Sequence, residues 1–177
     1  SPPDNERLSR GDTFVKQVGG AELNVAVGAA LLGLHTGVIP KLPAHDIGSF
    51  MKGKIRSFGV SDDFFMYDQS SSARVGIYYY ENGAYPRKPK VIYDRNNSSF
   101  FSMNIDEIPE EVYTASKCFH TTGITLALNE DIRETTIDMI KRFKAAGTLV
   151  SFDVNFRGNL WTGDEARECI LRILPYV

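Results

Sequence analysis

Cysteine and histidine are scarce in this sequence, which limits the metal and disulfide chemistry open to it. The 177 residues include two cysteines and three histidines. Cys118 and Cys169 lie far apart in apolar segments, so we expect reduced core residues, not a disulfide or a metal pair. His35, His45 and His120 are scattered without the spacing of metal ligands, and we predict no metal site.

Excess positive charge and long apolar runs are missing as well. The formal net charge is −2 and no run of Lys or Arg occurs, which argues against a nucleic-acid-binding surface. No apolar run reaches the roughly 18 residues of a membrane-spanning helix, and the chain does not open on a signal-peptide pattern. We therefore expect a cytoplasmic protein that contacts neither nucleic acid nor membrane. Its 42% of hydrophobic residues suffice for one sizeable core.

Helix-like and strand-like segments alternate along most of the chain. Helices are predicted at 22–34, 46–58, 131–146 and 164–174. Strands are predicted at 38–42, 63–67, 117–121 and 148–153. This alternation is typical of an α/β domain with a largely parallel sheet.

One aromatic region interrupts the alternation. Residues 73–81 and 88–95 have the pattern of antiparallel strands joined at Asn82-Gly83, a strong hairpin turn signal. Residues 12–18 are predicted to add a third strand. We interpret this small sheet as a lid inserted over a cleft, with an edge extension or a dimer contact as the alternative.

The first predicted helix, at 22–34, is apolar on nearly every face, which predicts burial on most sides. Its polar side chains Glu22 and Asn24 lie in the first turn, directly after Gly19 and Gly20. Glycines let the backbone approach a ligand closely, and a helix N-terminus offers unpaired N–H groups. These features fit a ligand site, and they fit equally well a helix capped by its own polar residues.

A second polar cluster follows the strand predicted at 148–153. Asp153, Asn155 and Arg157 lie at or just beyond its carboxyl end, where open α/β sheets bind ligands. Alternate positions of an extended segment place side chains on one side. Because Arg binds phosphate and carboxylate groups bidentately, the cluster fits a phosphorylated or carboxylated ligand. The alternative is a satisfied turn in which Arg157 pairs with Asp153.

These motifs together resemble the PfkB (ribokinase-like) carbohydrate kinases over essentially the whole chain. The resemblance rests on Gly-Gly-x-x-x-Asn-x-Ala at Gly19–Ala26, on the aromatic lid and on Asp153–Arg157. Within the family the chain is most similar to the 2-keto-3-deoxygluconate kinases. The segments that carry this closer similarity are Gly19–Glu22, Tyr78–Tyr80, Tyr93–Arg95, Gly123–Thr125 and Asp153–Arg157.

The resemblance implies a ribokinase-like three-layer α/β/α fold with a small β-sheet lid. Residues 1–177 would form the N-terminal portion of one such domain, truncated at both ends. It implies ATP-dependent phosphorylation of a sugar acid, with ATP and Mg²⁺ as cofactors. A fructokinase or other hexose kinase is the alternative, as is a non-catalytic sugar-binding module if the chain is complete. The family's Gly-Ala-Gly-Asp-like run, which supplies the catalytic base, is absent, so we expect the chain alone to be inactive.

The resemblance also implies roles for individual residues. The positions expected to contact the sugar are Gly19, Gly20, Asn24, Tyr78, Tyr93, Arg95, Ile124 and Arg157. Arg157 would meet the sugar-acid carboxylate, the incoming phosphoryl group or both, and would stabilise charge in the transition state. Asn155 would contact the cofactor. Two copies of the protein are expected to associate through the lid sheet.

Overall fold

A computed structural model of the chain describes residues 6–177, so residues 1–5 of the predicted domain lie outside the described part. The helices are α1 (Ala21–Leu31), α2 (Asp46–Ser57), α3 (Val112–Ala115), α4 (Gly123–Leu126), α5 (Glu130–Ala145) and α6 (Gly163–Ile173). The strands are β1 (Thr36–Gly37), β2 (Lys41–Pro43), β3 (Val60–Ser61), β4 (Met66–Asp68), β5 (Ile77–Glu81), β6 (Lys90–Asp94), β7 (Cys118–Thr122) and β8 (Leu149–Asp153). Across residues 6–177, no helix combines the length and apolar character that a membrane crossing demands.

Parallel pairing dominates the strands outside the lid. Strand β1 pairs with β3, β2 with β4, and β7 with β8, all in parallel. In the last pair the register brings Thr122 opposite Asp153. The carboxyl ends of β7 and β8 therefore lie side by side, which confirms the predicted α/β class and places both segments that follow these strands at one sheet edge.

The four predicted helices form close to their predicted positions, whereas two strands differ. In place of a strand at 38–42, the chain forms β1 and β2 around residues 38–40, because Pro40 has no N–H to donate. In place of a strand at 63–67, it forms β3 and β4. A turn separates them, in which the Phe65 N–H donates to the Asp62 carbonyl at 3.2 Å.

A core around α5 supports the β7–β8 edge. Asn129 caps this helix, its side chain accepting from the Ile132 N–H at 2.8 Å. The Phe143 ring stacks on Phe119 with centroids 4.1 Å apart and meets Tyr113 edge-on at 4.9 Å. Because Phe119 belongs to β7, these aromatic contacts fix the strand against α5.

The lid consists of β5, β6 and their connection. Their antiparallel register places Tyr78 opposite Tyr93. The predicted turn at Asn82-Gly83 does not form there, since the Arg87 N–H donates to the Ala84 carbonyl at 2.7 Å within a connection that runs over residues 82–89. Pro89 cannot donate a ladder hydrogen bond, and the loop folds so tightly that a Cβ on Gly83 would lie 2.6 Å from the Pro89 nitrogen.

The structure also corrects the predicted third lid strand at 12–18, because this segment forms no strand. It contacts the lid through a side chain. The Phe14 ring meets the Tyr79 ring edge-on, with centroids 5.8 Å apart. This aromatic contact connects the segment with the lid sheet.

The prediction that the first helix is buried on most sides is wrong for the described chain. Leu23 is the one buried residue of α1, packed with Ile55 and Val60. At the other end of the helix, Leu32 is 85% exposed. The described elements pack against one side of α1 and leave its other apolar faces open. Cys118, predicted to be a core residue, is exposed as well, at the start of β7.

Candidate functional site

The segments that follow β7 and β8 contact each other through backbone. Helix α4 starts at Gly123, and a Cβ added there would lie 2.1 Å from the Val154 carbonyl oxygen. No side chain fits in that space, so glycine allows the chain leaving β8 to lie directly against α4. The buried Trp161 ring lies 3.4 Å from the same Cβ position, so it packs against this junction.

The first turn of α1 joins this junction through the Glu22 carboxylate. Oxygen Oε1 of Glu22 accepts from the Thr122 N–H at 3.1 Å, the Thr122 hydroxyl at 2.9 Å and the Thr125 hydroxyl at 2.6 Å. Glu22 therefore binds a distant part of the chain, which neither of the two interpretations of the helix start predicted. We call these three hydrogen bonds the Glu22 link.

Asn24 and the two glycines lie beside the Glu22 link. The Asn24 side chain is exposed and forms no hydrogen bond within residues 6–177. A Cβ on Gly19 would lie 3.1 Å from the Tyr78 hydroxyl oxygen, so the backbone before α1 approaches the lid closely. This contact joins two groups of residues that the sequence assigned to one site.

Three predicted site residues form a cluster in the lid. The rings of Tyr78 and Tyr93 lie with centroids 6.1 Å apart, and each side chain is 51% exposed. The Arg95 guanidinium lies 4.6 Å from the centre of the Tyr93 ring, a cation–π contact. The cluster therefore presents two phenol groups and a positive charge on an accessible surface.

The segments just before β5 and just after β6, which we call the stem of the lid, are held together by Arg74. Its guanidinium forms an ion pair with Asp94 at 2.8 Å and donates to the Asn96 carbonyl at 3.0 Å. The Ser99 hydroxyl oxygen accepts from the Arg74 N–H at 3.2 Å. Hydrogen bonds from the Ser70 backbone and from the Ser70 and Ser99 hydroxyls hold the pKa of Asp68 below its usual value. The ion pair of Arg74 with Asp94 and its hydrogen bonds to Asn96 and Ser99 thus hold the two sides of the stem together.

The segment after β8 differs from its prediction. Asn155 has φ +35°, in the left-handed region, and its N–H bonds to Asp153 Oδ1 at 3.0 Å. The chain is therefore turned at this point, and the argument that an extended segment places alternate side chains together does not hold. The alternative pair is not present within residues 6–177 either, since the exposed Arg157 donates to the Phe156 carbonyl at 3.1 Å.

The structure thus brings some predicted residues together and leaves others apart. Gly19 meets Tyr78, Arg95 meets Tyr93, and Ile124 lies between the two threonines of the Glu22 link. In residues 6–177, no three His, Cys, Asp or Glu side chains are grouped so as to hold a metal ion. Among the described residues there is therefore no cluster of carboxylates that would hold Mg²⁺ by itself.

The Glu22 link is the part of the site that sequence reasoning missed. Two threonines directly before and after Gly123-Ile124 were a possible signal, because hydroxyls at a strand's carboxyl end commonly serve as donors to ligands or charges. No local pattern pairs them with a carboxylate 100 residues earlier in the chain.

The comparisons with known proteins define the class of the chain. The sequence model of the pfkB family carbohydrate kinases matches residues 2–177. This chain belongs to the pfkB family carbohydrate kinases, and the predicted ribokinase-like α/β fold is confirmed.

Individual relatives add detail. The chain is 36% identical to the 2-dehydro-3-deoxygalactonokinase of Haloferax volcanii over 177 residues, which is 100% of this chain and 55% of the relative. It is 32% identical to the probable fructokinase-3 of Arabidopsis thaliana over 94% of this chain and 47% of that one. The crystal structure of the 2-dehydro-3-deoxygluconokinase of Thermotoga maritima superposes with a TM-score of 0.93 at 35% identity, covering 99% of this chain and 53% of that one. The chain spans about half the length of these relatives.

Proposed function

We propose that the whole protein containing this chain is an ATP-dependent kinase of a sugar acid, 2-keto-3-deoxygluconate. The observation that carries the proposal is the lid cluster of Tyr78, Tyr93 and Arg95, in which the Tyr78 hydroxyl lies close to Gly19, just before α1. The names of two similar proteins, a 2-dehydro-3-deoxygalactonokinase and a 2-dehydro-3-deoxygluconokinase, support the same substrate class, since "2-dehydro" and "2-keto" describe one group.

The lid cluster suits an acidic sugar because it combines phenols with a fixed positive charge. Arg95 lies over the face of Tyr93, so the N–H groups at its edge stay available for a carboxylate. The phenol of Tyr78 can donate to or accept from a sugar hydroxyl, while its ring shields the ligand from water. Gly19, Gly20 and Asn24 would complete the contacts to hydroxyls on the α1 side.

The opposite side of the site would be formed by the segments after β7 and β8. Ile124 would line the pocket, and Arg157 would bind the carboxylate, the transferred phosphoryl group or both. Phosphoryl transfer depends chiefly on positioning and on charge neutralisation, and a guanidinium at the sheet edge serves both. Asn155 would contact ATP.

The remaining chemistry belongs to parts of the kinase that the described residues do not supply. Mg²⁺ would accompany ATP and neutralise phosphate charge, and the catalytic base is assigned to no residue of this chain. We infer that the chain alone binds sugar without phosphorylating it, and that the enzyme works in the cytoplasm, where ATP is available.

We also propose that two copies associate through the lid. Its strands expose apolar and aromatic side chains along both faces, including Ile77, Tyr80, Val91 and Ile92. Contiguous exposed apolar surface of this kind favours association. Sedimentation or light scattering of the protein, with Ile92→Glu as the variant, tests this expectation.

A fructokinase is the second candidate, favoured by the 32% identity to the probable fructokinase-3 of Arabidopsis thaliana. A panel of 2-keto-3-deoxygluconate, 2-keto-3-deoxygalactonate and fructose with the whole protein and Mg-ATP distinguishes the two. We expect the highest kcat/KM with a sugar acid and a selective loss of it in Arg95→Gln. Higher kcat/KM with fructose, unaffected by that substitution, would overturn the proposal.

The third candidate, a non-catalytic binding module, predicts sugar binding with no turnover by the whole protein. Calorimetric titration of this chain with 2-keto-3-deoxygluconate, beside the turnover assay of the whole protein, separates it from the kinases. Phosphate transfer by the whole protein would exclude the module.

A further inference from the structure

One carboxylate connects the segments that carry the proposed sugar contacts. Glu22 lies between Gly20 and Asn24 on the α1 side. Its partners Thr122 and Thr125 lie on both sides of Ile124 on the α4 side. The Glu22 link therefore joins the two segments to which these proposed sugar contacts belong.

The two threonines that donate the hydrogen bonds of the Glu22 link are buried. Thr122 is 1% exposed and Thr125 is 9% exposed. All three donors converge on one carboxylate oxygen, and hydrogen bonds to a charged acceptor are stronger than those between neutral groups. Water competes poorly for buried groups, so the link restrains the separation of α1 and α4 closely.

The Thr122 side chain donates to Glu22 and does not cap its own helix, α4. It is the N-cap residue of α4, and its side chain forms no capping hydrogen bond there. A threonine at this position ordinarily accepts from an N–H of the first turn. Here its hydroxyl donates to Glu22 instead, so a contact across the chain takes precedence over the cap.

The restraint extends beyond α4. Because the Val154 carbonyl lies directly against Gly123, any shift of the start of α4 moves the chain that leaves β8. That chain carries Arg157, three residues further on. A displacement of α4 from α1 would therefore also displace the backbone that leads to Arg157.

We propose that Glu22 is a positioning residue of the sugar site, which sets the distance between the α1 side and the Ile124–Arg157 side so that one ligand meets both. The inference rests on the proposed sugar kinase function. Glu22 needs no contact with the sugar for this role. Its loss is expected to weaken sugar binding while the ATP site keeps its affinity.

The test compares Glu22→Ala and Glu22→Gln in the whole protein, with Glu130→Gln as the matched control. Glu130 also lies in the first turn of its helix, α5, so the control removes a charge of the same kind outside the site. We expect Glu22→Ala to raise the KM for 2-keto-3-deoxygluconate by about 10- to 100-fold, the loss typical of a misplaced reactant. The KM for ATP stays constant. Glu22→Gln, whose amide oxygen still accepts from the threonines, recovers part of the loss.

Thr125→Val provides a second route to the same result. It removes one donor of the Glu22 link and leaves the carboxylate in place. We expect a smaller rise in the sugar KM, and a double variant with Glu22→Ala no worse than Glu22→Ala alone, because both changes break one link.

The outcomes are distinguishable. A whole protein that phosphorylates no sugar acid would overturn the proposed function and this inference with it. An active protein whose sugar KM is unchanged in Glu22→Ala would overturn the inference alone. A loss of kcat in proportion to the unfolded fraction, with both KM values unchanged and no recovery in Glu22→Gln, would make Glu22 a purely structural residue and would also overturn it.

Discussion

The region around α5 and the region around the start of α1 hold their residues in place by different means. Around α5, buried apolar side chains such as Ile132, Ile140 and Phe143 pack against β7 and β8. At the start of α1, few side chains are buried, and positions depend on the Glu22 link and on the approach of Gly19 to Tyr78. Stability is thus concentrated in the first region, and the proposed chemistry in the second.

This difference has a physical basis. Apolar packing is non-directional and grows with buried area, so it builds a support without specifying where single atoms lie. Hydrogen bonds and cation–π contacts are directional, and each fixes particular atoms. Substitutions in the two regions should therefore change different measured quantities.

The largest effect is expected at the centre of the α5 core. Phe143 is 1% exposed and packs against Phe119 and Tyr113. Phe143→Ala should lower the free energy of unfolding by about 3–5 kcal/mol, because it removes buried surface and leaves a cavity. Urea unfolding measures the change. Leu171→Ala, at an exposed position on α6, is the control and should stay within about 0.5 kcal/mol. Similar losses in both variants would remove the contrast between core and surface.

For Arg157 we expect the second largest effect, a loss of activity without a loss of stability. Arg157 is exposed and bonds only the adjacent Phe156 carbonyl within the described residues, so Arg157→Ala should leave the free energy of unfolding nearly unchanged. In the whole protein, kcat/KM for the sugar acid should fall by about 10²- to 10³-fold, the loss of roughly 3 kcal/mol of transition-state stabilisation.

Arg167→Ala on α6 removes an equal charge at another exposed position and should leave kcat/KM intact. Steady-state kinetics of both variants, beside their unfolding curves, make the comparison. An unchanged kcat/KM in Arg157→Ala would eliminate the role proposed for this residue.

The smallest effect concerns the surface of the α5 region. Glu134 and Arg172 form a bidentate ion pair at 2.6 and 2.7 Å, and the Arg172 guanidinium holds the pKa of Glu134 below its usual 4.5. The pair therefore stabilises the fold above pH 4.5, and this contribution disappears as the pH falls through the lowered pKa. Glu134→Gln should cost about 0.2–1 kcal/mol at neutral pH, as is usual for exposed pairs.

Unfolding curves of Glu134→Gln and the unsubstituted chain across the acid range test this pH dependence. The two should converge in acid. A difference that persists at all pH values would mean that the ion pair does not cause it.

The sequence predicted one region better than the other. Around α5, period and capping residues placed the helix 131–146 within one residue of Glu130–Ala145, because local signals determine where a helix starts and ends. For α1, an apolar pattern suggested burial on most sides, yet burial depends on neighbouring elements and not on the helix alone. The Asn82-Gly83 turn failed for a similar reason, since the two prolines that follow limit the ladder.

For the candidate site as well, the sequence suggested single residues but not the contacts between distant segments. The family resemblance implied sugar contacts for Gly19, Tyr78, Tyr93 and Arg95, and the structure brings these residues together in pairs. The Glu22 link escaped prediction because its partners are 100 or more residues apart and no periodicity relates them. Long-range polar contacts are settled by the tertiary fold.

Trp161 is a natural fluorescent probe of the junction between α4 and the chain that leaves β8. It is the only tryptophan of the chain, and its buried indole lies beside Gly123, where α4 and the chain leaving β8 meet. Indole emission responds to the polarity and movement of the groups around it. The fluorescence spectrum of the chain should therefore shift when a ligand displaces α4, without any attached dye.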